Sequence, residues 1–137
     1  VRREKGSVGQ HVVVFWSKEL EAVLSGIKTI DARLSSARIP PFGAVSHGDE
    51  LLLKQPGGPI VGKVLVDNVL YFENLDGEAL GKLRKEYAKD LGVDESFWKR
   101  KVDARFATII FLKRPQRFVA PMKSSKRDRS AWMVLKK

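Results

Sequence analysis

Short apolar runs, separated by chain breakers rather than by regularly alternating helices, most constrain the fold of this chain. The clearest run is Arg105 to Leu112, RFATIIFL, whose β-branched and aromatic residues are typical of a strand. His11 to Trp16 has the same character. Glu50 to Lys54 and Ile60 to Tyr71 form a predicted hairpin, because the turn residues Pro56 to Pro59 lie between them. These runs predict an α+β fold with a mostly antiparallel sheet or a small barrel, flanked by two or three helices.

Two helices and a further helical turn are predicted between the strands. Apolar residues recur at helical spacing from Ser17 to Ser25, where Ser17 is the candidate N-cap and Gly26 follows as a stop. Asp76 is placed to cap a helix from Gly77 to Leu91 that ends at the following glycine. Asp94 is placed to cap one or two more turns, through Lys101.

The remaining segments are predicted as short strands and loops. Residues 27 to 33 alternate in polarity, which predicts a strand that leaves the first helix directly, and breakers fill the loop from 34 to 48. Arg117 to Val119 and Ala131 to Leu135 are predicted as separate short strands on either side of a basic loop.

Length and composition predict a single domain from residue 11 to 137, with a basic extension from about residue 115. The polar, basic residues 1 to 10 are expected to precede this domain as an N-terminal segment whose composition is compatible with disorder. The chain has no cysteine, no apolar run near the ~18 residues of a membrane span and no visible signal peptide. We therefore expect a cytoplasmic protein with no membrane partner.

The charge is concentrated in the second half of the chain. Residues 1 to 78 hold nine basic and ten acidic side chains, whereas residues 79 to 137 hold 17 basic and six acidic ones. A one-signed field of this kind attracts polyanions, among which nucleic acid is the first candidate. A solvated basic face and an anionic membrane surface are the alternatives.

Several classes of chemistry find no support in the sequence. The two histidines, His11 and His47, have no second imidazole or carboxylate cluster at ligand spacing, so we expect no metal. Gly57 and Gly58 lie between prolines rather than before a helix, so no phosphate-binding loop is predicted, and no serine has the setting of a nucleophile elbow. No cofactor is expected.

The octapeptide GIKTIDAR, residues 26 to 33, is the most distinctive polar segment. In an extended strand Thr29, Asp31 and Arg33 share one face, while Lys28 projects to the other unless a bulge intervenes. Taken alone, these residues more often mark a solvated strand with a local ion pair than a functional site.

This octapeptide resembles the ASCH-domain signature Gly-x-Lys-x-x-Glu-x-Arg, found in a branch of the PUA-like superfamily of small β-barrels. Gly26, Lys28 and Arg33 match it, and Asp31 stands where the family usually has Glu. The order of the surrounding features also matches over roughly residues 11 to 112. Those features are the run HVVVFW, the first helix, Pro40-Pro41, Gly48-Asp49 before an apolar strand, and Gly62-Lys63-Val64.

The resemblance implies a PUA-like barrel in which the motif lysine and arginine, here Lys28 and Arg33, face a nucleic acid or a modified nucleoside from a cleft. Most members are regarded as RNA-binding modules, and some small bacterial members resemble amidohydrolases of N-acetylated cytidine or ribonucleases. In the amidohydrolase branch a Thr stands at the position of Asp31, and a downstream Glu takes part. The downstream Glu has no clear match here, although Glu86 and Asp90 lie in the corresponding helix.

Two functions from different classes are therefore carried forward, and the sequence leaves the oligomeric state open. The first is binding of RNA or single-stranded nucleic acid, with Phe42, Trp98 and Trp132 as candidate stacking residues. Its candidate contacts are Lys28, Thr29, Arg33, Phe42, Lys82, Lys85, Lys89, Lys123, Lys126, Arg127 and Arg129.

The second function is hydrolysis of a modified nucleoside or RNA. In this mechanism Lys28 activates water, Asp31 is the general base or holds Lys28, and Arg33 binds an anionic oxygen. A role in binding an acidic protein partner is a third possibility.

Overall fold

Six strands and three helices make up the part of the chain that a computed structural model describes, residues 8–124 and 130–136. In chain order these elements are β1 (Gln10–Val14), α1 (Ser17–Leu24), β2 (Ile30–Ser35), β3 (Glu50–Lys54), β4 (Ile60–Phe72), α2 (Gly77–Leu91), α3 (Glu95–Arg100), β5 (Phe106–Met122) and β6 (Trp132–Lys136).

The strands form one sheet in the order β2-β5-β4-β3-β1-β6. Strands β1 and β3 are parallel, and the other described neighbours are antiparallel. The sheet is rolled into a half-barrel, whose edge strands are β2 and β6. This architecture confirms the predicted α+β class, with a mostly antiparallel sheet and flanking helices.

Strand β5 is central because helices cover both of its faces. Ile109 and Ile110 are both fully buried and, as neighbours on a strand, point to opposite faces. Ile110 joins the cluster that includes Val23 of α1, and Ile109 joins the cluster that includes Tyr87 of α2 and Trp98 of α3. Burial on both faces explains why this segment is apolar throughout rather than alternating.

Strand β5 is also longer than the sequence predicted, because it absorbs the segment expected as a separate strand at Arg117 to Val119. Pro115 lies between the two predicted strands. In the structure the pairing with β4 shifts register between Lys63 and Leu65, opposite Arg114 and Pro115, and Arg114 has a φ of +52°. A bulge of this kind accommodates a proline inside a strand, since the ladder does not need its missing N–H there.

Strand β2 begins at Ile30, later than the predicted residue 27. The backbone N–H of Lys28 donates to Ala22 O, which extends the end of α1. Residues 27 to 29 therefore connect the helix to the strand and do not follow strand alternation.

His11 joins three elements through a fully buried hydrogen-bond network. Its Nε2 lies 2.9 Å from Asp49 Oδ2, and its Nδ1 lies 3.0 Å from Trp132 Nε1. An indole N–H can only donate, so Nδ1 of His11 accepts from Trp132. Nε2 therefore carries the ring proton and donates a hydrogen bond to Asp49 Oδ2. The network fixes Trp132 of β6 against β1 and the residue preceding β3. His11 is thus structural, as expected.

Gly62 of β4 lies close beneath Leu24 of α1. A Cβ placed on Gly62 would lie 2.5 Å from Leu24 Cδ2 and 2.6 Å from Gln116 O. The backbone oxygen cannot move without disturbing the β4–β5 ladder. We expect Gly62→Ala to lower the free energy of unfolding by about 1–3 kcal/mol, measured by urea denaturation.

The matched control is Gly81→Ala on α2, where an added Cβ meets nothing within 4 Å. A helix-interior glycine replaced by alanine is expected to gain about 0.5–1 kcal/mol. Equal stability of the Gly62→Ala variant and the wild type would contradict the described packing of α1.

Candidate functional site

A cleft of about 1040 Å³ lies where the half-barrel is open. It is bounded by the residues that follow β1, by β2, by the start of β6, and by residues from the 39–42 loop, the β3–β4 turn and the ends of α2 and α3. A volume of this size is at the upper end of the range for small-molecule sites, about 300–1,000 Å³. It is therefore large enough for a nucleotide.

Arg33 spans the cleft from one edge of the sheet toward the other. Its Nε donates to Asp31 Oδ2 at 2.7 Å, and its Nη2 donates to Val14 O at 3.3 Å. The guanidinium carbon also lies 4.9 Å from the centre of the Phe15 ring and 5.4 Å from that of Trp132. Arg33 keeps 19% of its side chain exposed, so it joins the edges and still presents positive charge to the cleft.

Lys28 lies at the bottom of the same cleft. It is 8% exposed, and its ammonium donates to Leu91 O at 2.7 Å. Leu91 ends α2, where unpaired carbonyls and the helix dipole favour a cation. The expectation that Lys28 faces away from Asp31 and Arg33 is wrong, because Lys28 lies in the connector before β2.

Thr29 is placed differently from the expectation of a row shared with Asp31 and Arg33. It is exposed and does not line the cleft, and its carbonyl accepts from Leu112 N. Like Lys28, it precedes the first residue of β2, so the predicted alternation does not reach it.

Three basic residues that the sequence did not single out also line the cleft. Lys54 ends β3 and is buried, Arg100 ends α3 and is exposed, and Lys101 follows it. Burial lowers the pKa of Lys101 below its usual 10.5, and the nearby positive charges of Arg100 and Arg33 lower it further. No periodicity in the sequence marks Arg100 and Lys101, because only the docking of α3 brings them to the cleft.

The cleft therefore carries more positive than negative charge. Its basic residues are Lys28, Arg33, Lys54, Arg100 and Lys101, and its acidic residues are Glu19 and Asp31. Since Asp31 is paired with Arg33, the electrostatic potential of the cleft favours an anion.

Aromatic side chains form much of the remaining wall. Phe15 and Trp132 are buried, and Phe42 is half-buried against the rings of Tyr71 and Phe106. Two of the three stacking candidates, Trp132 and Phe42, thus line the cleft.

Trp98, the third stacking candidate, is 5% exposed in the core beneath α2 and does not line the cleft. The exposed aromatic residue is Trp16, with 73% of its surface exposed at the cleft edge. Trp16 belongs to the run that the sequence predicts as the first strand. In the structure β1 ends at Val14 and Trp16 occupies the N-cap of α1, which turns it outward.

Four other predicted contacts lie outside the cleft. Lys82, Lys85 and Lys89 are exposed on α2, Lys123 is exposed after β5, and none of the four lines the cleft. Lys126, Arg127 and Arg129 fall outside the described residues. Glu86 and Asp90 are exposed on α2, away from the cleft.

A metal-binding cluster and a membrane-spanning helix are both absent from residues 8–124 and 130–136. Their His, Asp and Glu side chains form no group of three that could hold a metal ion. None of the described helices is long and apolar enough to cross a membrane.

Comparison with known proteins identifies the fold. No protein-family model matches the sequence, and a search of curated proteins gives no match. Among solved structures, a serine-to-alanine variant of ZmASCH from Zymomonas mobilis superposes with a TM-score of 0.71 at 17% identity, over 93% of this chain and 89% of that one. ZmASCH itself superposes with a TM-score of 0.68 at 14% identity, over 93% and 88%.

The half-barrel therefore has the ASCH-domain fold, as the octapeptide and its context predicted.

The lowered pKa of Lys101 predicts a specific pH dependence of stability. The folded state disfavours the charged ammonium, so folding is opposed at neutral pH and this opposition disappears as pH rises through the lowered pKa toward 10.5. We expect Lys101→Met to be more stable than the wild type at pH 7, with the difference shrinking as the pH is raised.

Thermal or urea unfolding between pH 7 and 10.5 measures this difference. Lys99→Met is the control on the same helix, because Lys99 is exposed and does not line the cleft. A Lys101→Met variant that is less stable at pH 7 than both other proteins would show that the charged form is favoured instead.

Proposed function

We propose that this protein binds nucleic acid through the cleft, with single-stranded RNA as the preferred form and the cytoplasm as its compartment. The observation that carries this proposal is the concentration of five basic side chains and several aromatic rings in one cleft. Positive charge supplies affinity for phosphates, and aromatic faces supply affinity for unstacked bases.

The electrostatic support comes chiefly from α3. Arg100 is exposed and Lys101 is half-buried beside it, and their repulsion helps to lower the pKa of Lys101. A phosphate between these groups would relieve that repulsion. A site whose charges destabilise the unbound protein in this way is typical of functional sites.

The support for a single strand comes from Trp16. An exposed indole beside a basic cleft offers a face on which one base can stack, and such a contact contributes about 1–3 kcal/mol per base. Bases inside a duplex are already stacked on their neighbours, so their faces are not available to an indole. Bases in single-stranded RNA loops and ends have available faces.

Basic residues outside the cleft extend the proposed surface. We propose that Lys82, Lys85, Lys89 and Lys123 contact phosphates of a longer strand. Lys126, Arg127 and Arg129, which the sequence places in the same role, are included in the proposal. Contacts of this kind add affinity without reading sequence.

Fluorescence anisotropy with a labelled single-stranded RNA tests the proposal. If about five phosphates are neutralised, the affinity should fall with salt at a log-log slope of about −3.5. The double variant Arg100→Ala/Lys101→Ala should bind more weakly and should reduce the magnitude of this slope by about 1.4, since two phosphate contacts are lost.

The control for charge is Lys18→Ala/Lys99→Ala, which removes two exposed lysines that do not line the cleft. A binding affinity that does not change with salt would contradict nucleic-acid binding. Equal losses in the two double variants would show that general charge, and not the cleft, supplies the affinity.

Hydrolysis of a modified nucleoside or RNA is the second candidate function, favoured by one observation. Lys28 and Asp31 both lie buried in the same cleft, where an ammonium and a carboxylate have strong fields. The contacts assign them separate partners, since Lys28 donates to Leu91 O and Asp31 accepts from Arg33. We therefore propose that Lys28 polarises a bound substrate or water, and that Asp31 positions Arg33 rather than acting as general base or holding Lys28.

The substitution Lys28→Met tests this second candidate. If the protein is an N-acetylcytidine amidohydrolase or a ribonuclease, the variant should lose turnover, because the buried ammonium that donates to Leu91 O in the cleft is gone. Product is followed by mass spectrometry on N-acetylcytidine and on RNA. Thermal unfolding of the same sample controls for the Leu91 carbonyl that loses its partner, and full turnover in a folded variant would exclude a role for Lys28 in the chemistry.

A further inference from the structure

Thr108 in the wall of the cleft has a buried hydroxyl without a hydrogen-bond partner among the described residues. The residue is 1% exposed, and the unpaired atom is Oγ1. In the β2–β5 ladder it stands directly opposite Arg33, so the two side chains share the face of the sheet that the cleft uses.

An unpaired buried hydroxyl is unfavourable for folding. Most buried polar groups in proteins are hydrogen-bonded, and a buried polar group without a hydrogen bond destabilises the folded state. An apolar side chain of the same shape carries no such penalty. Valine has that shape and also favours strands. Packing and strand propensity therefore do not favour threonine over valine at this position, whereas a ligand that completes the hydrogen bond of its hydroxyl would.

The surroundings of Thr108 indicate which part of a ligand reaches it. The nearest cleft-lining residue on the same face of β5 is Phe106, whose ring packs on Phe42. An exposed basic group of the cleft is instead at Arg100, on α3. The hydroxyl is neutral, its cleft-lining neighbour along the strand is aromatic, and the guanidinium of Arg33 opposite it already donates to Asp31. These surroundings suit the flat polar edge of a base better than a phosphate.

We propose that Thr108 determines specificity by hydrogen-bonding the polar edge of one unpaired nucleobase that enters the cleft. This inference rests on the proposed binding of nucleic acid and assigns the part of the ligand that the buried end of the cleft reads. The hydroxyl both donates and accepts, so it fits a carbonyl, a ring nitrogen or an exocyclic amine. A ligand with a sugar phosphate and no base leaves the hydroxyl unpaired.

The test compares Thr108→Val with Thr108→Ser. The four ribonucleoside 5′-monophosphates and ribose 5-phosphate are titrated against each protein, with binding followed by tryptophan fluorescence. For at least one mononucleotide we expect Thr108→Val to lose about 5- to 10-fold in affinity, as for one hydrogen bond, and Thr108→Ser to stay within about 2-fold of the wild type. Affinity for ribose 5-phosphate should be the same in all three proteins.

Stability provides the readout that a merely structural threonine would not give. We expect Thr108→Val to unfold at the same or a higher urea concentration than the wild type, because it removes an unpaired buried hydroxyl. Weaker mononucleotide binding together with unchanged or increased stability supports the proposal. Weaker binding that accompanies a loss of stability overturns it, since Thr108 then acts through packing.

RNA binding measured on the same samples separates this inference from the function on which it rests. If the wild type binds RNA with the expected salt dependence but binds no mononucleotide, or if Thr108→Val binds every mononucleotide as the wild type does, the role of Thr108 is wrong and the proposed function stands. If the wild type binds no RNA, the proposed function itself fails.

Discussion

The cleft depends on Arg33, which joins the two sides of an incompletely closed barrel. Backbone hydrogen bonds connect the six strands from β2 to β6, and across the opening Arg33 of β2 reaches Val14 O at the end of β1. The same guanidinium lies over the rings of Phe15 and Trp132 and is held by Asp31 at 2.7 Å. One side chain thus fixes the separation of the walls and contributes positive charge between them, because a guanidinium can hydrogen-bond and stack at once.

The ring under Arg33 is itself held in place. Trp132 donates to His11, which in turn contacts Asp49, so the wall of the cleft is part of a buried polar network with assigned donors and acceptors. Against this ordered wall, two groups remain unfavourable in the unbound protein. They are the crowded ammonium of Lys101 and the unpaired hydroxyl of Thr108. A phosphate would satisfy the first and a base edge the second, which is why the two groups together point to a nucleotide.

Features set by local sequence were predictable, and features set by docking were not. The cap at Asp76, the end of α2 at Gly92 and the β3–β4 hairpin follow from neighbouring residues, and the structure confirms them. The octapeptide likewise predicted the ASCH-domain fold. The side on which Lys28 lies depends on three connector residues, and the arrival of Arg100 and Lys101 depends on how α3 packs. Trp16 shows the same limit, because a strand that ends two residues early moves an apparent core residue to the surface.

The three tryptophans allow a direct test of the proposal that nucleic acid binds in the cleft. Their indole N–H resonances can be followed by NMR while a short single-stranded RNA is added to the isotope-labelled protein. Binding in the cleft predicts a large shift for Trp16 and a smaller one for Trp132, whose N–H is held by His11, with no change for Trp98 in the core beneath α2. A shift confined to Trp98, or no shift at Trp16 under saturating RNA, would contradict the assignment of the cleft as the binding site.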